Sequence, residues 1–192
     1  MNGGLSTYKL PLTKSVIEQL NDRFISLDTE TTGLSKNKDR LLEIGAVLFE
    51  KGKPVKRFQT FVNAGIAINP YAQAVNGISE KMIISAPNEK TSISMLLDFI
   101  NEAVNGKTIV VGHNLKFDIG FLDEAMIRNG ICAKVRYVDT LELSQSYLSL
   151  CNYKQTTVAE HFRISVDGSH RADVDSLICG QILVNILNLI RR

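Results

Sequence analysis

The sequence predicts a mixed α/β fold: one sheet of three leading antiparallel strands, later strands added in parallel, and helices covering it. Two features of the pattern carry this. Apolar β-rich runs come first, two of them joined by a small Gly-containing connection, "KGK", which is a hairpin signal. Further along, short apolar strands alternate with segments of helical period, the signature of parallel additions. Size and composition agree: 192 residues, 44% apolar and 22% charged, suit one globular domain with a real core and exclude a disordered chain.

Each element has its own justification. After a lead-in, "TKSVIEQLND" forms a short helix packing through Val16, Ile17 and Leu20, so residues 1–22 are expected to be a lead-in plus helix. "RFISLDTE" is the first strand. A polar loop, "TTGLSKNKD", leads to "RLLEIGAVLFE" and "PVKRFQTFVN", which complete a meander. "TSISMLLDFINEAV" sets Ile93, Leu96, Leu97, Ile100 and Val104 on one helical stripe. "KTIVVGHN" is a buried strand, and "FDIGFLDEAMIRNG" is a helix closed by Gly130. "VRYVD" is a short strand, and "TLELSQSYLSL" and "TTVAEHF" are short helices. The last helix runs from about Arg171 through "SLICGQILVNILNLI". The resulting order, β-β-β-α-β-α-β-α, matches a ribonuclease-H-like arrangement. No repeat or linker divides the chain, so residues 1–192 are expected to form a single domain.

Bulk charge narrows the function. A net charge of +2 is far below that of a protein that coats a duplex, so any nucleic-acid contact should be local. The clusters Lys36, Lys38, Arg40 and Lys51, Lys53, Lys56, Arg57 read as solvated loop and hairpin faces. Three widely spaced cysteines, Cys132, Cys151 and Cys179, make neither a zinc site nor a disulfide framework. The N-terminus lacks a continuous apolar run and no stretch is expected to reach membrane-span length, which points to the cytoplasm.

The acids at element ends carry the chemistry. Asp28 and Glu30 end the first strand two residues apart, so their side chains share a face and repel unless a cation or proton lies between them. Asp118 stands where a helix begins after "TIVVGHN", and Asp175 lies in the first turns of the last helix. Carboxylates gathered at strand and helix ends, without matching Lys or Arg, suggest a hard divalent cation bound by oxygen. His170 precedes Asp175 by five residues, about 140° around a helix. It therefore belongs on the preceding loop, where an imidazole can move onto a water as a base.

"FISLDTETTGL", "VVGHNLKFDIGFL" and "SHRADVDS" closely resemble, in order and spacing, the three motifs of the DEDDh 3′–5′ exonucleases. The likeness is to the proofreading (epsilon) subunit of bacterial replicative DNA polymerases and the equivalent domain inside some polymerases, and it covers nearly the whole chain. "LLEIGAV" and "VDTLELS" also look like the family's connecting strands. The resemblance implies metal-dependent hydrolysis of phosphodiester bonds at single-stranded or frayed 3′ ends, releasing nucleoside 5′-monophosphates, with two Mg²⁺ or Mn²⁺. On it, Asp28, Glu30 and Asp175 hold one ion, Asp28 bridges to the second, Asp118 helps position that second ion, and His170 is the general base. It also makes Thr31, Thr32, Gly33, Leu34, Asn114 and Phe117 the nucleotide contacts. Asn76 departs from the pattern, standing where many relatives carry His.

Taken singly, an Asp on such a surface is a solvated acid; the ordered set of four with His170 reverses that. His113 reads as a strand-end histidine bonded to backbone and His161 as peripheral, while Asp123, Glu124 and Glu142 read as helix-surface charge. DNA is the favoured substrate and a DNA polymerase a candidate partner. An RNA-trimming exonuclease of the same family is the alternative, and a non-cutting nucleic-acid or polymerase-binding module the rival class.

Overall fold

A computed structural model describes residues 3–191. The chain begins with β1 (Gly4–Lys9), α1 (Lys14–Asp22), β2 (Arg23–Thr31), β3 (Leu41–Glu50) and β4 (Lys53–Phe61). Four helices follow, α2 (Pro70–Asn76), α3 (Glu80–Ile83), α4 (Glu89–Phe99) and α5 (Asn101–Val104). The rest is β5 (Val110–Gly112), α6 (Lys116–Asn129), β6 (Cys132–Asp139), α7 (Thr140–Tyr147), α8 (Gln155–His161) and α9 (Ala172–Ile190). One sheet has the order β1-β6-β5-β2-β3-β4. β2, β3 and β4 form the antiparallel meander, and β5, β6 and β1 add in parallel.

Three local expectations are corrected. Part of the N-terminal lead-in is a strand: β1 pairs with β6, and Asp123 accepts the Leu5 N–H at 2.8 Å. Its sequence, "GLSTYK", hid this because four of its six residues are exposed and backbone pairing holds it at the sheet edge. The helix over "TSISMLLDFINEAV" is two helices, α4 and α5, broken at the buried Ile100. Helices α2 and α3 were not expected, although Asn69 caps α2, Pro70 opens it and the left-handed Gly77 closes it, as such residues do.

The sheet has two differently covered faces. Ile25, Leu27, Ile44 and Ala46 pack beneath α4 and α6 with Phe121, Leu122 and Met126. Phe24, Val47, Phe49 and Val111 pack beneath α1 and α9 with Leu20, Cys179 and Leu183. The alternation along β2 therefore sends odd-numbered residues to the α6 side and Phe24, Asp28 and Glu30 to the α9 side. By length and composition α9 is long and apolar enough to cross a membrane, against the expectation that no segment is. Burial on the sheet accounts for that apolarity: Cys179, Ile182, Leu183, Ile186 and Leu187 are all at most 2% exposed.

Two glycines allow α9 to lie this close. A Cβ on Gly180 would sit 2.1 Å from the Phe49 ring, and one on Gly45 would sit 2.1 Å from the Ala172 carbonyl carbon. Gly45 is also the β3 residue opposite Asp28. The missing side chain there lets the first turn of α9 come down beside the β2 carboxylates. Gly45→Ala is expected to cost about 1–3 kcal/mol by overpacking, a fall in melting temperature of roughly 3–10 °C; an unchanged thermal transition would mean the contact is not tight.

Candidate metal centre and active-site cleft

The site lies at the C-terminal end of β2, reached from both faces of the sheet. Asp28 and Glu30 project on the α9 side, and α9 brings Asp175 to them. Ligand oxygens of these three carboxylates lie within 4.8 Å of one another. Asp118 arrives from the other face, at the start of α6, and is held apart from the three. Its Oδ1 accepts the Thr29 N–H at 2.9 Å and the Thr29 hydroxyl at 2.7 Å. Asp118 is nonetheless close enough that its charge acts on Asp28. Those four acids, with His170, line one cleft of about 310 Å³.

The electrostatics are those of an uncompensated anionic cluster. Burial pushes Asp28 well above the ordinary carboxylate range, and the charges of Asp118, Asp175, Glu30 and Glu43 push it further. Burial, then Asp175 and Glu43, raise Glu30 from 4.5 to about 7. Burial raises Asp118 to about 7 against the pull of its Thr29 hydrogen bonds, and Asp175 is raised by burial as well. Among the described residues no Lys or Arg side chain pairs with the three clustered carboxylates. Such an oxygen-only donor set fits a hard divalent cation.

A pH dependence follows for the protein freed of metal. The folded state keeps protons that the unfolded chain has already released, so this contribution to stability is complete below the ordinary carboxylate values. It is lost as pH rises through about 7. For Glu30 alone the loss is on the order of 3 kcal/mol. Thermal unfolding in EDTA should therefore occur roughly 5–10 °C lower at pH 8 than at pH 5.5 on this account, and millimolar Mg²⁺ should reverse the drop. A flat melting temperature over that range would contradict the cluster's geometry.

His170 lies outside the helix, as its spacing implies. It is exposed, adopts a left-handed φ of 66°, and its backbone N–H donates to Asp175 Oδ2 at 2.8 Å. The next residue anchors the whole turn. Arg171 makes a forked ion pair with the fully buried Glu43, with Nη2 to Oε1 at 2.8 Å, and lies 5.0 Å over the Phe61 ring. Glu43 also accepts from Gln59 and from the Ala172 N–H. The motif does contain an arginine, then, but its charge is directed to Glu43 rather than to the three clustered carboxylates.

The other candidates divide between groove and framework. Thr31, Gly33, Leu34 and Phe117 line a neighbouring groove of about 580 Å³. Leu34 is 86% exposed, while Phe117 packs on Phe121 and borders both cavities. Thr32 is fully buried and does not reach the groove; its hydroxyl donates to Asp39 and accepts from the Arg40 N–H. The Thr31 hydroxyl donates to the Gly33 carbonyl. Asn114 stands exposed at the cleft with a left-handed φ of 62°, its N–H held by Asp139 Oδ1. His113 has both ring nitrogens engaged, with Thr140 Oγ1 and the Tyr153 carbonyl, and offers neither to a ligand.

Three contributors were missed, and a fourth was noticed only as a departure from the pattern. Tyr71 and Val75, exposed on α2, form the groove wall facing Leu34; their i, i+4 spacing beside the Asn69–Pro70 start was the available signal. Gln155 Nε2 donates to Asp175 Oδ1 at 3.1 Å, which only the tertiary fold reveals. Asn76, that departure, is buried; its amide donates to the Thr31 carbonyl at 3.4 Å and accepts from the Ile78 N–H, and it lies near enough to Glu30 to lower that carboxyl's pKa against burial. Partners of this kind orient the groups that hold a metal. Asn76→Leu is expected to raise the Mg²⁺ concentration for half-maximal effect by about 10-fold, measured by titration; an unchanged titration would remove Asn76 from the site.

Comparison with known proteins then gives one direction. Residues 25–183 match the family model RNase_T, described as Exonuclease. The chain is 35% identical over 189 residues to a DNA polymerase III PolC-type protein of Caldanaerobacter subterraneus subsp. tengcongensis, covering 97% of this chain and 13% of that one. It is 31% identical to the DNA polymerase III subunit epsilon of Treponema pallidum, covering 85% and 76%, and 31% identical to the 3′-5′ exonuclease DinG of Bacillus subtilis, covering 88% and 18%. The chain thus spans only a small part of the PolC-type and DinG proteins. Among solved structures, Exonuclease X in complex with 5′ overhanging duplex DNA superposes with a TM-score of 0.69 at 23% identity, covering 88% of this chain and 93% of that one. E. coli Exonuclease I in complex with a dT13 oligonucleotide superposes with a TM-score of 0.75 at 15% identity, covering 86% and 41%.

Proposed function

This chain belongs to the RNase_T exonuclease family, and on that premise we propose that it removes nucleotides one at a time from single-stranded or frayed 3′ ends of DNA. The carrying observation is the group Asp28, Glu30 and Asp175, with ligand oxygens within 4.8 Å of one another, beside a nucleotide-sized groove and under His170. Asp28, Glu30 and Asp175 would hold one Mg²⁺ or Mn²⁺; Asp28 would be shared with a second, which Asp118 would help orient. The chemistry such a pair supplies is charge stabilisation on the entering and departing oxygens of an in-line displacement.

The chain's own groups do the rest. The His170 imidazole takes a proton from the attacking water. The water oxygen bonds to phosphorus as the bond to the 3′ oxygen breaks, leaving a nucleoside 5′-monophosphate and a shortened strand with a 3′-hydroxyl. The groove between Leu34 on one side and Tyr71 and Val75 on the other accepts the terminal base by apolar contact, without reading its identity. A paired end does not enter so readily, because its base is stacked and bonded in the duplex; this is how frayed ends would be preferred. Gly33 brings backbone to the same groove, and Asn114 and Phe117 border the path from base to phosphate.

DNA is favoured over RNA because relatives include DNA polymerase III proteins. The same relatives support a DNA polymerase as partner, a proofreading role and a cytoplasmic setting. Residues 1–192 would act as one exonuclease domain. The test is a purified-protein assay with Mg²⁺ on matched single-stranded DNA, single-stranded RNA, and duplexes with paired or mispaired 3′ ends. Release of deoxynucleoside monophosphates, fastest from single-stranded and mispaired ends and abolished by EDTA, is expected. Cleavage that persists in excess EDTA, or digestion of RNA alone, would overturn the reading.

A further inference from the structure

The carboxylate cleft contains one cation of the protein's own. Of the described residues lining it only Lys154 is a lysine or arginine, and it shares the cleft with Asp28, Glu30, Asp118 and Asp175. Its side chain is exposed, and among the described residues no carboxylate lies within 4.0 Å of its ammonium. Lys36 and Lys116, by contrast, are paired with Glu124 and Glu142. Two of the cleft's acids are engaged elsewhere: Asp175 accepts from the His170 N–H and from Gln155, and Asp118 from Thr29.

The backbone beneath Lys154 is fixed from three sides. Its own N–H donates to Asn152 Oδ1 at 3.1 Å, and the Thr157 hydroxyl donates to the same oxygen at 2.8 Å. The preceding carbonyl, of Tyr153, meets His113 Nε2 at 2.8 Å. His113 is itself held by Thr140, whose hydroxyl donates to the Gly112 carbonyl at 3.1 Å. The following residue, Gln155, touches Asp175. An ammonium without an ion pair thus stands on a hydrogen-bonded backbone at the cleft, beside Gln155 and Thr156 and outside the lining of the apolar groove.

We propose that Lys154 contacts the phosphate backbone of the substrate, placing its ammonium against a non-bridging oxygen of the scissile phosphate or of the next phosphate on its 5′ side. The inference rests on the exonuclease reading. Four carboxylates repel an approaching phosphodiester, and an unpaired ammonium at their rim offsets part of that repulsion. Lysine suits this role because its ammonium is a compact charge with three donors on a flexible stem. Such a contact is blind to base identity.

The test compares wild type, Lys154→Gln and Lys154→Arg on oligo-dT and on the p-nitrophenyl ester of thymidine 5′-monophosphate, which carries a single phosphate. Lys154→Gln should lose roughly 10- to 100-fold in kcat/KM on the oligonucleotide, the range of a lost charge-assisted hydrogen bond. Lys154→Arg should stay within a few fold of wild type. For Lys154→Gln, the slope of log kcat/KM against log KCl concentration should become shallower by about 0.7, one counterion-releasing contact on a single strand. Equal loss on the ester assigns the scissile phosphate; loss on the oligonucleotide alone assigns the neighbour. Unchanged kcat/KM on both substrates would overturn the proposal. So would a loss shared equally by Lys154→Arg with the salt slope unchanged, which would make the residue structural. A wild-type protein that releases no nucleotide would overturn the exonuclease reading, and this inference with it.

Discussion

Asp28→Asn should reduce nucleotide release in Mg²⁺ by about 10³-fold or more while making the metal-free protein more stable at pH 8. Both effects come from one cause. Burial pushes the Asp28 carboxyl well above the usual range, and the charges of Asp118, Asp175, Glu30 and Glu43 push it further. A neutral amide of the same shape removes the repulsion but also a shared cation ligand. Loss of several kcal/mol of transition-state charge stabilisation corresponds to about three powers of ten or more. Meanwhile the melting temperature in EDTA at pH 8 should rise by a few degrees, since each kcal/mol moves it about 2–4 °C in a chain of this size. Activity within tenfold of wild type, or no gain in stability, would remove Asp28 from the centre of the site.

His170→Asn should lower kcat by about 10²–10⁴-fold, the usual worth of a general base, and leave folding nearly untouched. The substitution is chosen for the backbone. Position 170 has a left-handed φ of 66°, which asparagine tolerates better than most residues. Its link to Asp175 is made by the main-chain N–H, which the variant retains. The Mg²⁺ titration and melting temperature should therefore match wild type while turnover collapses. A variant that kept kcat within tenfold would rule the imidazole out as the base. One that lost its Mg²⁺ response would show that His170 acts on the cation site instead.

Much of this site was legible because its signals are local. Asp28 and Glu30 share a face by strand alternation alone, and His170 falls outside the last helix by angular arithmetic. The hairpin of β3 and β4, the close of α6 at Gly130 and the apolar stripe of α9 are likewise short-range patterns. β1 escaped notice because an edge strand is held by backbone hydrogen bonds, which leave little imprint on side-chain periodicity. The split between α4 and α5 carries no proline or glycine to announce it. Thr32 shows the limit from the other side: it lies in the motif, yet its hydroxyl closes the loop onto Asp39 and the Arg40 backbone.

The sequence by itself determined the antiparallel meander followed by alternating strands and helices, the four acids and the histidine as candidates, and their likeness to a nuclease family. Only the tertiary structure decided how they meet. Gly45 leaves the gap through which α9 reaches Asp28, and the ion pair of Arg171 with the buried Glu43 fixes the turn that carries His170. Gln155 bonds to Asp175, Thr29 to Asp118, and Lys154 lines the same cleft as all four acids. These pairings join residues far apart in the chain, such as Glu43 with Arg171 and Thr29 with Asp118. Motif spacing records which groups the chemistry requires; distances between separate elements depend on packing, which no local pattern encodes.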